Sequence, residues 1–263
     1  MLWISGPPRS GTTMLNVMLS GDGYLPECSI ITEFVKLYHT CKYDNDQRYK
    51  TFLGENNQLK ENFSAILNIS LKETPKYAVL KDPNLCLYLD DWRELFPDDR
   101  MVMIVRDPRD VVGSMLQVLR RTKPRASVRK AMRAVAPHLL AIGRASQTDD
   151  KLLIVRYEDV VAQKHETISL LSKFTGIDLA QRRESAYQFD NANPFYSELY
   201  GKRVTDERVG AYAAQLSTAE ECAVLYRFSD FLDRYFPDAQ LSGWRVPFVF
   251  SLMKRWRRAR GIG

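Results

Sequence analysis

Cysteine is scarce in this chain of 263 residues: Cys28, Cys41, Cys86 and Cys222 are widely spaced and form no CxxC pair. That pattern counts against a disulfide framework and fits buried, reduced thiols in a cytosolic compartment better. Histidine is scarcer still. His39, His138 and His165 stand apart, there is no HExxH, and no metal site is expected. Long apolar runs are missing as well, because no uncharged stretch reaches the roughly 18 residues that a membrane-spanning helix needs. The opening Met1-Leu2-Trp3-Ile4 reaches a turn at Gly6, which leaves no room for a basic region, an apolar stretch and a cleavage site, so a cytoplasmic protein is expected. Internal repeats and low-complexity segments are absent too.

What is present is the composition of a globular protein, 45% hydrophobic and 27% charged. A chain of this length buries roughly three quarters of its unfolded surface without staples. The net charge of +6 is uneven: residues 245–263 hold six cations and no acid, which leaves the first 244 residues neutral. The excess therefore belongs to a tail, and no nucleic-acid partner is expected. Val246, Phe248, Val249, Phe250, Leu252, Met253 and Trp256 share this tail with those cations, a mixture that could fold as a basic amphipathic helix. Such a helix either docks on the domain, lies on an anionic membrane as a peripheral contact, or attracts an acidic polymer.

Short apolar runs at 2–4, 77–80, 101–105 and 152–155 read as strands buried on both faces. Helical spacing fills 12–20, 30–41, 59–71, 85–96, 111–121 and 125–146 between them, and 166–175 and 218–235 after them. Strands alternating with helices predict an α/β fold, a parallel sheet with helices on both faces and a helical C-terminal part. A single domain is expected over 1–244, with a core to about residue 160, a helical acceptor or lid part over 161–244, and the tail beyond. The polar stretch 188–207 reads as a mobile loop, whose Phe189, Phe195, Tyr196 and Tyr200 either stack on an acceptor or anchor the loop.

The first strand runs into Gly6-Pro7-Pro8-Arg9-Ser10-Gly11-Thr12-Thr13 and then a helix. A strand, a glycine loop and a helix start present consecutive N–H groups to a phosphate-sized anion. The glycines have Walker spacing, but Thr12 stands where the Walker Lys would reach the β and γ phosphates, which counts against an ATPase or GTPase. The cation is Arg9 instead, whose planar fork suits a sulfonyl or phosphoryl oxygen. A second strand ends at Arg106-Asp107-Pro108-Arg109-Asp110, with Ser114 eight positions after Arg106. Both loops are expected at the carboxyl edge of one sheet, and two anion sites suggest a ligand with two separated anionic groups.

These segments resemble the sulfotransferases that use 3′-phosphoadenosine 5′-phosphosulfate, in particular their carbohydrate and tyrosyl-protein branch. Pro8, Arg9, Ser10, Gly11, Thr12 and Thr13 resemble the family's 5′-phosphosulfate loop, and 105–114 its 3′-phosphate signature with Arg106 and Ser114 as ligands. Tyr157 matches a tyrosine near the cofactor, and Arg208-Val209-Gly210 a late basic segment over the 3′-phosphate. Lys81-Asp82-Pro83 resembles a segment whose lysine takes part in catalysis.

The resemblance implies a P-loop-like fold and metal-free, in-line transfer of a sulfonyl group to an acceptor hydroxyl, of a carbohydrate or another larger molecule, releasing adenosine 3′,5′-bisphosphate. Arg9, Lys81 and the N–H groups of 11–13 would stabilise charge. Glu27 is the first candidate for the general base, Glu33 the second and His39 the third. A P-loop phosphotransferase and a non-catalytic nucleotide-binding module remain as alternatives.

Overall fold

The computed structural model describes residues 1–23, 25, 27–43, 50–51, 53–54, 56–74, 78–145, 149–179 and 204–238. The loop aromatics Phe189, Phe195, Tyr196 and Tyr200 and the tail 245–263 lie outside the described residues, as does Tyr77 at the expected start of the second strand.

Four strands, Leu2–Ser5 (β1), Val79–Lys81 (β2), Arg100–Val105 (β3) and Leu152–Arg156 (β4), pair in parallel in the order β2-β1-β3-β4. β1 is registered to both neighbours, with Leu2 opposite Val79 on one side and Arg100 on the other. The chain leaves β1 toward β2 and then crosses to β3 on the opposite side. The carboxyl ends of β1 and β3 therefore meet at the point where the strand order reverses, the usual place for a crevice in such sheets.

Helices cover both faces. Because strand side chains alternate, Trp3, Met101, Met103 and Val105 join one core, with Ser29–Tyr43 (α2), Asn56–Ser70 (α3), Pro108–Thr122 (α5) and Val128–Arg144 (α6). Ile4, Val102 and Ile104 join the other, with Thr12–Ser20 (α1), Tyr157–Val161 (α7) and His165–Thr175 (α8). Each large apolar side chain so enclosed contributes about 1.5–3 kcal/mol. β4, which ends the sheet among the described residues, departs from the expectation of burial on both faces: Leu153 and Ile154 are half-buried, whereas β2 at the other end is buried throughout.

Two expected helices are broken. The stretch 85–96 is a 3-10 turn, Pro83–Tyr88, followed by Leu89–Leu95 (α4), with Tyr88 at φ −127° and ψ 42° between them. Likewise 218–235 divides into Thr218–Arg227 (α9) and Ser229–Tyr235 (α10) at Phe228. The bend buries Phe228 and lets Val224, Leu225, Phe231 and Leu232 all face the first core. α9 starts at Ser217 with a reciprocal capping box to Glu220, which satisfies two end donors at once. All four cysteines are free, but only Cys41 and Cys86 are buried; Cys28 and Cys222 are half-exposed, against the expectation of four buried thiols. Among the described residues no helix is long and apolar enough to cross a membrane.

Candidate active site

The turn from β1 to α1 is shaped by what cannot fit in it. Gly6 has φ +147°, and a Cβ there would lie 2.4 Å from the Ile104 carbonyl oxygen. Gly11 has φ +99°, and its Cβ would lie 2.6 Å from Cδ2 of Tyr157. Both positions need glycine for conformation and for space. Between them Arg9 is held at φ 75°, a left-handed conformation costly for a side chain with a Cβ and typical of functional loops. Ser10 donates its N–H to the Pro7 carbonyl at 3.1 Å, while its buried hydroxyl has no hydrogen-bond partner. The result is a backbone cradle ahead of the N-terminus of α1, with an unused hydroxyl beside it.

The end of β3 supplies the facing wall. Asp107 caps α5 by accepting the Arg109 N–H at 2.8 Å, with Pro108 at the first helical position. That start aims Ser114 back at the loop, where its Oγ accepts from Arg9 Nε at 3.0 Å. Arg106 is 7% exposed and donates to the Arg9 carbonyl at 3.4 Å and to the Arg208 carbonyl; its guanidinium lies 4.5 Å from the centre of the Tyr157 ring. Its Nε is buried and without a hydrogen-bond partner. Burial, followed by the charges of Arg106, Arg121 and Arg208, lowers the Arg9 guanidinium from 12.5 to about 10. Cations crowded together with donors unused are what a bound phosphate or sulfonyl group would neutralise and satisfy.

The third wall comes from a segment 100 residues later. Asp110, buried, accepts the N–H groups of Gly210 and Tyr212 at 2.9 Å each and pairs with Arg106 at 3.3 Å. Arg109 reinforces the join, with its guanidinium 4.2 Å from the Tyr212 ring centre and 3.0 Å from Glu221. Arg208 is thereby carried to the arginine group. Nothing in the spacing of Asp110 reveals this clasp, apart from its place one helical turn after Arg106.

At the other side of the loop, Glu27 and Lys81 form a parallel β-bridge, with the Cys28 N–H donating to the Lys81 carbonyl at 2.8 Å. Their side chains meet as well. Lys81 Nζ lies 2.9 Å from Glu27 Oε2 and donates to Thr13 Oγ1 at 3.0 Å. The Lys81 side chain is 3% exposed and that of Glu27 42%, so a buried cation links the phosphate-loop helix to a carboxylate open to solvent. Thr13 is thus tied to Lys81, a partnership the sequence does not signal.

The other candidate bases lie elsewhere. Glu33 is exposed on α2 and pairs with Lys36 at 3.5 Å. His39 sits farther along α2, with Nδ1 2.6 Å from Asp91 and its ring packed near Tyr43 and Tyr88. One group not anticipated is Glu158, whose Oε1 accepts the Asp107 N–H at 2.9 Å. Burial raises its carboxyl from 4.5 to about 7.

The family model described as the sulfotransferase family matches residues 2–181. No curated protein matches the chain. Among solved structures it is similar to the sulfotransferase domain from the curacin biosynthetic pathway, with 17% identity, TM-score 0.55, and 87% of this chain and 97% of that one covered. The sulfotransferase domain of the Synechococcus PCC 7002 olefin synthase gives 19%, 0.53, 87% and 94%. Sulfotransferase STF9 from Mycobacterium avium gives 16%, 0.50, 92% and 78%. At such identities the structures speak for the fold, and it is the fold that the strand order and the loop after β1 led one to expect. The phosphotransferase and non-catalytic readings give way, and the chain belongs to the sulfotransferase family, enzymes whose donor is 3′-phosphoadenosine 5′-phosphosulfate.

Proposed function

We propose that the protein moves a sulfonyl group from 3′-phosphoadenosine 5′-phosphosulfate to a hydroxyl of a carbohydrate or another larger molecule, with Glu27 as general base. The bridge Glu27–Lys81–Thr13 carries this reading, because it sets a solvent-open carboxylate one buried cation away from the phosphate loop. In this reading the loop N–H groups of 11–13, with Pro8, Arg9, Ser10 and Thr12, hold the 5′ end of the donor. Arg106, Ser114, Tyr157 and Arg208 hold its 3′-phosphate, a fit favoured by the unused Arg106 Nε and the lowered Arg9. When bound, the donor supplies the sulfonyl group, which passes in line to the acceptor oxygen as its bond to the bisphosphate breaks.

The Glu27 carboxylate, held by Lys81 through Oε2, receives the proton of the acceptor hydroxyl. Lys81 Nζ orients that carboxylate and, with Arg9, stabilises negative charge gathering at the loop, which is worth most in a site closed to water. Asp110 keeps Arg208 in place by holding the backbone of 210 and 212. No metal takes part in this scheme. The test is to incubate the protein with the donor and a panel of hydroxyl acceptors and to follow adenosine 3′,5′-bisphosphate by chromatography. Acceptor-dependent release, abolished in Glu27→Gln, is expected; release that is unchanged in Glu27→Gln would contradict the assignment of the base.

A further inference from the structure

Between Asp110 and Asp149 the chain contains no acidic residue, yet it carries eight Lys and Arg. The neutrality of the first 244 residues therefore hides a separation: these 38 residues are eight charges positive, and the rest of that body is eight charges negative. The segment is the hairpin of α5 and α6, and its cations gather at the turn. Arg120 and Arg121 close α5, Lys123 and Arg125 lie in the turn, and Arg129, Lys130 and Arg133 open α6, all exposed. Each of the seven lacks an acidic neighbour in sequence, and Lys123 lowers the neighbouring Lys130 ammonium, as unscreened like charges do. The C-terminus of a helix welcomes Arg120 and Arg121, but the N-terminus of α6 gains nothing from Arg129 and Lys130. Helix stability does not explain the cations of the turn and of the start of α6, and a bound polyanion would neutralise them.

The patch reaches toward the candidate site, where the charge of Arg121 acts on Arg9. Ser114, which touches Arg9, and Arg121 are seven residues and about 10 Å apart along one face of α5. We infer that the α5–α6 hairpin is the docking surface for an acidic polysaccharide that serves as the acceptor, its carboxylate or sulfate groups held by the cations while one of its hydroxyls enters the cleft. This inference rests on the sulfotransferase reading with a hydroxyl acceptor. The choice of polyanion follows from what the hairpin lacks. Residues 111–148 include no Phe, Tyr or Trp, so nucleic-acid bases find no stacking platform. No large hydrophobic side chain of residues 120–133 is exposed, so the turn has no wedge for a bilayer. An acidic peptide offers few hydroxyls, whereas an acidic polysaccharide presents one or more on every unit.

The experiment measures binding of the full chain to alginate, a carboxylated polysaccharide, beside poly-glutamate, a DNA duplex and phosphatidylserine vesicles. Arg125→Ala/Arg129→Ala/Lys130→Ala/Arg133→Ala is compared with wild type and with a control carrying Arg125→Lys, Arg129→Lys and Arg133→Lys. Alginate is expected to bind most tightly, with affinity falling about 10²-fold between 50 and 200 mM salt if some four cations release counterions. The alanine variant should lose at least ten-fold, the lysine control should retain binding, and all three should bind adenosine 3′,5′-bisphosphate alike. Absence of alginate binding, equal binding by the alanine variant, or tighter binding of peptide, DNA or vesicles would overturn the inference while leaving the donor site untouched. Loss of bisphosphate binding by wild type itself would instead count against the sulfotransferase reading.

Discussion

The two ends of the candidate site are held in opposite ways. Around Arg106 every wall is locked: its guanidinium reaches the loop, the 208 segment and the Tyr157 ring, and buried Asp110 pins that segment through two backbone N–H groups. Around Glu27 one side is fixed by the β-bridge to Lys81 and the other is open, with the carboxylate 42% exposed. A rigid, cation-lined end suits a ligand that is the same in every turnover. An open end with one anchored carboxylate suits a variable acceptor. Binding of the donor and chemistry on the acceptor should therefore be separable by mutation.

The largest effect should fall on turnover. Glu27→Gln keeps the shape but not the basicity, and kcat should drop about 10²- to 10⁴-fold with donor affinity unchanged. A parallel loss of donor affinity in direct titration would break the comparison. At the other end, Arg106→Ala should weaken adenosine 3′,5′-bisphosphate by roughly 10- to 100-fold, the worth of charge-assisted hydrogen bonds, with a smaller effect on kcat at saturating donor.

Asp110→Asn sharpens the picture, because the clasp acts through Arg208. Donor KM should rise several-fold with kcat less affected, and limited proteolysis should begin within 204–217; an unchanged digestion pattern would show that the clasp does not hold the segment. A subtler effect is expected from Glu158. Its carboxyl titrates near 7 in the folded chain and near 4.5 when exposed, so the folded state favours the proton. That contribution is complete below pH 4.5 and is lost as pH rises through about 7. Wild type should thus lose several degrees of Tm between pH 5 and 8 relative to Glu158→Gln. The smallest effects belong to Glu33→Gln and His39→Ala, where kcat should stay within about two-fold, since Glu33 pairs with Lys36 and His39 with Asp91 rather than with a residue of the loop.

The locked end was largely legible in the sequence. Arg9, Arg106 and Ser114 lie in short segments whose strand-loop-helix context is local, and a parallel sheet brings the ends of β1 and β3 together by topology alone. The alternation of strands and helices gave the architecture for the same reason. The pairing of Lys81 with Thr13 and the grip of Asp110 on residues 210 and 212 depend on side chains meeting across 68 and about 100 residues, which no periodicity records. The breaks at Tyr88 and Phe228 escaped because apolar spacing runs on through them. The cationic hairpin does not show in the net charge of the first 244 residues, because acids elsewhere in that stretch cancel it.

The most direct test of separable ends is calorimetric titration of adenosine 3′,5′-bisphosphate, without added divalent metal, into wild type, Glu27→Gln and Arg106→Ala, with ATP and magnesium as the comparison. The account predicts tight binding by wild type and Glu27→Gln, binding weakened at least ten-fold in Arg106→Ala, and little response to ATP. Preference for ATP with magnesium, or equal affinity in wild type and Arg106→Ala, would contradict it.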